Sequence, residues 1–455
     1  MSGGGFRGHV HVAGVAGVGM SALAQALSWS CGRVTGSDRY LDGGRRVPVL
    51  DALERSGIGL TPQDGSAVET GTEAVVYSTA IEADNPDLAA ARRLGVPCRH
   101  RAEVLAGLAE GHRLLAVAGT AGKTTTTGML GWILECAGAE PTVVNGGALV
   151  DWAGPDRVGN ARRGAEGAPW VVEVDESDRS LLDFRPEWSV LTNISQDHFS
   201  LEEVQALFRT YAGQVREGLV VGPGVAEVLG EVGARVVEPP CGGMAPVAGG
   251  GWEMPWRGGT RLRVRLPGRH NLVNALLAAE TAMLAAGMEP EAVAEAMGRF
   301  RGIQRRMERT DRGGAVRVFD DYAHNPAKIA AAFEAAREGV EGRILAVWRP
   351  HGFAPLRNMM DPLAEAFAGA LREGDRCWIL PVYYAGGTTV KDVSSGDLVR
   401  RIAALGAPAE EAGGYEELDA VVRSAVREGD TVLVMGARDP GLPEFAKRVG
   451  EELGF

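Results

Sequence analysis

The chain has 455 residues, 64 of them glycine, with 45% hydrophobic and 23% charged residues and a formal charge of −12. At roughly 100 to 200 residues per domain this length predicts about three domains, and the acid excess argues against a nucleic-acid scaffold, which needs a basic face to neutralise phosphates. No run approaches the ~18 apolar residues of a membrane span, and the first residues lack a charged-then-apolar signal layout. The expectation is therefore a cytoplasmic protein with a small-molecule partner, no nucleic acid and no membrane.

In chain order, the segment from Gly8 reads as strand, glycine-rich turn and helix (HVHVAGVAGVGMSALAQALSW), then a short strand ending at Gly36, Ser37 and Asp38. That is the opening of a βαβ unit. Gly14, Gly17 and Gly19 are spaced GxxGxG rather than GxGxxG, so the turn suits a diphosphate better than a hydride-transfer cofactor. A purely structural turn is the alternative. Asp38 falls where ribose or base contacts usually lie. An apolar strand follows at 73–81, and a new unit begins near residue 110.

That unit opens with LLAVAGT running into GKTTTTGMLGWILECAG. In the loop from Gly119 to Thr127, backbone amides face phosphate oxygens and the helix dipole adds positive potential. Lys123 supplies a point charge, and the Thr124 hydroxyl suits Mg²⁺. The general pattern GxxxxGK[ST] would want glycine where Val117 stands, so the shorter GTxGKTT form is its own signature of a triphosphate site. Only Lys123, Lys328, Lys391 and Lys447 are lysine among 47 basic residues, which sets apart a lysine in such a loop. Strands at 170–176 and 188–194 end in EVDESD (Glu173 to Asp178) and TNISQDH (Thr192 to His198). In a parallel sheet both open on the edge of the phosphate loop, so Glu173 and His198 are expected to converge with Thr124 on Mg²⁺. Asp175 and Glu176 suit solvation or capping of the next helix equally well.

A Gly/Pro-rich stretch from Pro239 to Gly251 precedes RLRVRLPGRHNLVNALLAAETAML, a strand, turn and helix. A third unit starts near Asp311 with AVRVFDDYAHNPAKIAAAFEAAR, followed by strands at RILAVWRP, RCWILPVYY and TVLVMGARD. Strands alternating with helices throughout imply an α/β fold of parallel sheets wound on both sides, with ligands gathering at the C-terminal strand ends. The expected domains are 1–109, 110–310 and 311–455. Cys31, Cys98, Cys136, Cys241 and Cys377 are odd in number, far apart and without a CxxC pair, so reduced, mostly buried thiols are expected.

Taken in order, GxxGxGMSALA with GSD, STAIEADNP, GTAGKTTTT, EVDESD, TNISQDH, GRHNLVNALLA, RRM, DDYAHNP and RPH span almost the whole chain. The set resembles the Mur ligase superfamily, and within it the branch that joins L-alanine to UDP-N-acetylmuramate in peptidoglycan precursor synthesis. The resemblance implies a Rossmann-like N-terminal domain for the UDP-sugar, a central P-loop ATPase-type sheet and a Rossmann-like C-terminal domain for the amino acid. By similarity, Gly17, Gly19, Met20, Ser21, Asp38 and Ser78 hold the nucleotide sugar. Gly119, Thr120, Ala121, Gly122, Lys123, Thr124 and Thr125 hold ATP, with Mg²⁺ on Thr124, Glu173 and His198. His270, Asn271 and Asn274 lie near adenine and the reacting phosphate, Arg306 at the hinge, and His324 and His351 at the incoming amino acid.

The implied reaction is phosphorylation of the lactyl carboxylate by ATP, then attack of the amino acid amine on the acyl phosphate. Lys123 and the loop amides neutralise charge, and His198, His324 or His351 accepts the amine proton. The implied assembly is a monomer or a homodimer. No lysine lies between Lys123 and Lys328, so the carbamylated lysine used by several members is absent.

The departures concentrate near the C-terminus. Where the alanine branch reads GHHP and QPHRYTRTR, this chain reads Ala323 to Pro326 (AHNP) and Arg349 to Arg357 (RPHGFAPLR). Two arginines that would grip the amino acid carboxylate are replaced by Gly352 and Pro355, leaving Arg357, Arg349 or Lys328 as substitutes. The ending VLVMGARDPGLPEF also differs from a glycine-rich close, although Gly436 and Arg438 still end a strand at the same edge. A paralogue using another amino acid or a peptide is the nearest rival reading. A non-catalytic Mur-like regulator and a nucleotide-binding oxidoreductase are the more distant ones.

Overall fold

Strands buried on both faces need unbroken Val, Ile, Leu and Ala rather than alternation, and the apolar runs of this chain form such strands. The computed structural model describes residues 5–195, 200–247, 250–384 and 390–453. His9–Ala13, Leu114–Ala118 and Thr431–Gly436 are each buried at every residue, and each lies inside one of three mostly parallel sheets.

The first sheet runs in the order Gly59–Thr61, Arg33–Ser37, His9–Ala13, Thr72–Tyr77, Cys98–His100, parallel throughout. In the second, Leu114–Ala118 is flanked by Trp188–Leu191 on one side and Trp170–Glu173 on the other, all parallel. The C-terminal ends of these three strands therefore open at one edge. Gly218–Val221 and Arg235–Val237 extend this sheet beyond Trp188–Leu191, and Thr142–Val144 and the antiparallel Ala161–Arg162 extend it beyond Trp170–Glu173. The third sheet has the order Glu308–Arg309, Arg317–Asp321, Thr431–Gly436, Ile344–Arg349, Arg376–Ile379, Glu410–Glu411, antiparallel only at its first pairing.

The chain groups into two compact units, one of Met1–Ala245, Trp252–Arg265 and Arg269–Ile303, the other of Pro246–Gly251, Leu266–Gly268 and Gln304–Phe455. The first two sheets share one unit because the Val18–Ser28 helix, buried from Met20 to Leu27, meets both. Gln25 Nε2 donates to Asn160 Oδ1 at 2.9 Å, and Asn160 Nδ2 donates to Ser21 Oγ at 2.9 Å. One continuous core cluster then runs from Val10 to Ala234.

The third sheet feeds two core layers by the two-residue alternation of strands. Ile344, Ala346 and Trp348 join Phe333 and Phe367 on one face, while Leu345 and Val347 join Trp378 and Phe445 on the other. Trp348 meets Phe367 edge-on at 5.4 Å, and full burial of side chains this large contributes about 1.5–3 kcal/mol each. Of the five free cysteines only Cys377 is buried; the other four are partly exposed, less buried than expected. No helix among the described residues is long and apolar enough to cross a membrane.

Candidate active site

The Leu114–Ala118 strand passes into a loop that only glycine can follow. Gly119 and Gly122 have φ of 132° and 83°. A Cβ at Gly119 would fall 2.0 Å from Thr192 Oγ1, and one at Gly122 would fall 2.6 Å from Asn274 Oδ1. The Lys123–Cys136 helix begins at once, so the amides of its first turn, which have no helical acceptor, border the loop.

The segment after Trp188–Leu191 braces this loop. Thr192 Oγ1 and Asn193 Nδ2 both donate to the Ala121 carbonyl, at 2.6 and 2.8 Å, and Asn193 Oδ1 accepts from Ala121 N at 3.0 Å. Thr120 Oγ1 donates to the Ser195 carbonyl at 3.1 Å and accepts from Ser195 N at 3.0 Å. Buried Asn271 and Asn274 share the Arg269–Ala286 helix, which packs on the Lys123–Cys136 helix, while His270 is exposed at its start.

Lys123 Nζ donates to the Gly119 carbonyl at 2.8 Å and to Glu176 Oε2 at 2.6 Å, with Asp175 Oδ1 at 3.9 Å. Burial works to lower the Lys123 pKa, but Glu176 and Asp175 outweigh it and the net shift is upward, so the ammonium stays charged. Burial raises the Asp175 carboxyl, yet Lys123, the Ser177 amide and Arg101 together hold it below its ordinary range. Asp175 also accepts from Arg101 Nη2 at 3.1 Å, and a Cβ at Gly19 would fall 3.1 Å from Arg101 Nη1. Arg101 thus spans from the first glycine turn to the acids around Lys123.

Thr124 Oγ1 donates to Glu173 Oε1 at 3.0 Å, and Glu173 Oε2 accepts from Gly146 N at 2.7 Å. Hydroxyl and carboxylate oxygens at this spacing fit a hard cation such as Mg²⁺. His198 lies outside the described residues. Among those described, no group of three or more His, Cys, Asp and Glu is arranged to hold a metal.

At the first glycine turn, Gly14 (φ 72°) and Val15 donate to the Ser37 carbonyl at 2.8 and 2.9 Å. Asp38 accepts from Ala16 N at 3.0 Å and Tyr40 N at 3.1 Å, and burial raises its pKa. Gly17 caps the Val18–Ser28 helix. Met20 and Ser21 are buried within that helix, and Ser21 Oγ also donates to the Val18 carbonyl at 2.9 Å. Ser78 is half-buried just past Thr72–Tyr77, its carbonyl accepting from Ile81 N at 3.0 Å.

In the other unit, Arg305 and Arg306 lie over the Tyr322 ring at 5.0 and 5.6 Å. The His324 and His351 rings meet at 5.0 Å, nearly perpendicular. Burial, then the charges of His324, Arg438 and Lys328, push the His351 pKa down to about 4. Arg349 is tied to Asp439 at 2.5 Å and to the Pro381 carbonyl at 2.8 Å. Arg357 makes a two-pronged pair with Asp392 and donates to the Val390 carbonyl at 2.8 Å.

Three family models match successive stretches: Mur ligase family, catalytic domain, at residues 9–113; Mur ligase middle domain at 117–207; and Mur ligase, glutamate ligase domain, at 305–438. A UDP-N-acetylmuramate–L-alanine ligase of Rhizobium meliloti is 36% identical, over 94% of this chain and 94% of its own length. One from Gloeobacter violaceus is 37% identical, over 96% and 95%. The crystal structure of UDP-N-acetylmuramate-alanine ligase from Thermotoga maritima superposes with a TM-score of 0.78 at 26% identity, over 97% of this chain and 98% of that one. The chain belongs to the Mur ligase family.

In this Mur ligase, the structure gathers Lys123, Thr124, Glu173, Asn271 and Asn274 around one loop, and pairs His324 with His351. Glu176, equally suited from sequence to capping or solvation, is instead buried against Lys123. Arg101, Asn193 and the Asn145 to Gly147 turn were not singled out from sequence. For Asn193 the signal was available, since it stands inside the TNISQDH motif. For Arg101 nothing local distinguishes one arginine of an RHRAE stretch from another.

Proposed function

We propose that this Mur ligase joins L-alanine to the lactyl carboxylate of UDP-N-acetylmuramate, with ATP as phosphoryl donor, in peptidoglycan precursor synthesis. The observation that carries the reading is the loop from Gly119 to Gly122, whose two glycines have no room for a Cβ, with Lys123, Thr124 and Glu173 at its mouth. A carboxylate oxygen attacks the γ-phosphorus, the bond to the β-phosphate oxygen breaks and ADP leaves. The amino acid nitrogen then attacks the acyl carbon, the carbon–oxygen bond to phosphate breaks, phosphate leaves, and the amine proton passes to a base. Among the described residues, His324 and His351 are the candidate bases at the third sheet's C-terminal edge, with His198 the third candidate. Its depressed pKa leaves His351 neutral at neutral pH and makes it a weaker base than an ordinary histidine.

Lys123 and the first-turn amides neutralise charge building on the transferred phosphoryl group. To do so Lys123 must exchange part of its contact with Glu176 for phosphate oxygens. Thr124 and Glu173, with His198, would hold Mg²⁺, which supplies further charge neutralisation on the phosphates. The division at residues 110 and 311 assigns the nucleotide sugar, ATP and amino acid to successive parts of the chain.

The test is phosphate release from ATP and Mg²⁺ with UDP-N-acetylmuramate across a panel of single amino acids, with product mass measured. Release with L-alanine and the mass of the alanyl product are expected. Lys123→Ala is expected to cut turnover by roughly a thousandfold while UDP-N-acetylmuramate still binds. Near-parental turnover of that variant would sink the phosphate assignment, and silence of the parent with every amino acid would sink the ligase reading. Release with another amino acid in place of alanine would make Gly352 and Pro355 the specificity switch.

A further inference from the structure

Arg101 opens the Arg101–Ala109 helix, directly after its N-cap His100, whose Nδ1 accepts from Ala102 N at 3.4 Å. The helix dipole disfavours a positive charge at that end, so the partners that hold Arg101 come from elsewhere in the fold. Its Nη2 donates to Asp175 Oδ2 at 3.1 Å and stands 3.9 Å from Asp178 Oδ2. The other oxygen of Asp175 has Lys123 Nζ at 3.9 Å. One carboxylate of the second sheet's edge is therefore shared between the lysine of the phosphate loop and an arginine that follows the last strand of the first sheet.

The second prong of the guanidinium lies against the first glycine turn. A Cβ at Gly19 would fall 3.1 Å from Arg101 Nη1 and 3.9 Å from its Cζ, so glycine at this position is what lets the fork approach the Val18–Ser28 helix. That helix has no side-chain cap, and Ser21 N donates to the Gly17 carbonyl at 2.7 Å. The amides of Val18, Gly19 and Met20 come before any helical acceptor, and Gly17 and Val18 are exposed. Amides and dipole at such an end suit a phosphate. Asp38, the acid of the turn, is taken up by the amides of Ala16 and Tyr40. Asp175 and Asp178 would repel an anion at the turn, and Arg101, in contact with Asp175 and Gly19 alike, is placed to cancel that repulsion.

We propose that Arg101 is a binding residue of the nucleotide-sugar site, giving Nη1 to a phosphate oxygen of the UDP diphosphate while Nη2 stays on Asp175. The inference rests on the nucleotide-sugar reading above. A planar guanidinium suits this double duty, because its donors are fixed relative to one another and anchoring one prong aims the other. Arg101 thus adds a full charge to a turn that otherwise offers amides and dipole.

The test is titration calorimetry of the full chain with UDP-N-acetylmuramate and with UDP, which keeps the diphosphate but lacks the sugar and its lactyl carboxylate. In Arg101→Gln the Kd of both is expected to rise roughly ten- to hundredfold, the scale of a lost hydrogen bond to a charged group, while the Kd of an ATP analogue with Mg²⁺ is kept. Arg101→Lys should recover part of the loss, since it restores the charge without the fork. An unchanged Kd for UDP in Arg101→Gln overturns the assignment, and so does a loss confined to UDP-N-acetylmuramate, which would move Arg101 to the lactyl carboxylate. An equal loss for the ATP analogue also overturns it, because that would mark Arg101 as a brace between the two glycine loops rather than a ligand contact. A parent that binds neither UDP nor UDP-N-acetylmuramate overturns the nucleotide-sugar reading and this inference with it.

Discussion

Asp320 is fully buried in the Arg317–Asp321 strand, its Oδ2 accepting from Arg305 Nε at 3.3 Å. Burial, opposed by Arg305, pushes its pKa up to about 7. Because that lies above the ~3.9 of an unfolded aspartate, the native state keeps a proton that the unfolded state has lost across this window, and stability falls as pH rises from about 4 to 7. His351 works in the opposite sense: with its pKa depressed to about 4, the unfolded state binds the extra proton, and this contribution rises up to the ~6.5 of free histidine. The two slopes offset each other in the parent, so the difference between parent and variant is the useful quantity. Melting temperatures of Asp320→Asn should gain on the parent from about pH 5 to pH 8, and a difference flat with pH would refute the buried, partly protonated carboxyl. At this scale the sequence exposed Lys123, because lysine is scarce and the loop around it has a spacing of its own. It did not expose Asp320 or Arg101, whose roles come from partners brought together by the fold.

At the scale of elements, apolar runs ending in chemistry-bearing residues were legible as strands, since a strand covered on both faces has little freedom in composition. The two-residue strands Ala161–Arg162 and Glu308–Arg309 were not, because an edge strand that short carries no periodicity. Nor does spacing reveal which left-handed glycines are crowded. Gly119 and Gly138 both have positive φ, but a Cβ at Gly119 would strike Thr192 Oγ1 at 2.0 Å while Gly138 has open space around it. Gly138→Ala should therefore cost only about 1–2 kcal/mol of stability, the left-handed penalty alone. Gly119→Ala should displace the loop from Thr192 and Asn193 and abolish nucleotide binding, measured by titration of an ATP analogue. Equal effects of the two substitutions on nucleotide affinity would show that the Thr192 contact does not shape the loop.

For the whole molecule, length alone suggested three domains, and three family models do match in succession, yet the chain groups into two compact units. The reason lies in the Val18–Ser28 helix. Its Gln25 and Ser21 bond to Asn160 of the second sheet's unit, and its Leu23 and Leu27 belong to the same core cluster as Val144, Val172 and Leu191. Elements that share a core melt together, whereas units with separate cores can melt apart. Calorimetry should accordingly resolve two transitions rather than three. A ligand that binds only the native state raises the transition of the unit it occupies, so an ATP analogue with Mg²⁺ should move the transition of the unit built from Met1–Ala245, Trp252–Arg265 and Arg269–Ile303. Asn160→Ala removes the hydrogen bonds by which that residue holds the helix and should split this transition or broaden it, at a cost of about 1–3 kcal/mol. Three separate transitions in the parent would mean that the Gln25, Ser21 and Asn160 contacts do not bind the two sheets into one cooperative unit, and the glycine turn and the phosphate loop would then open independently.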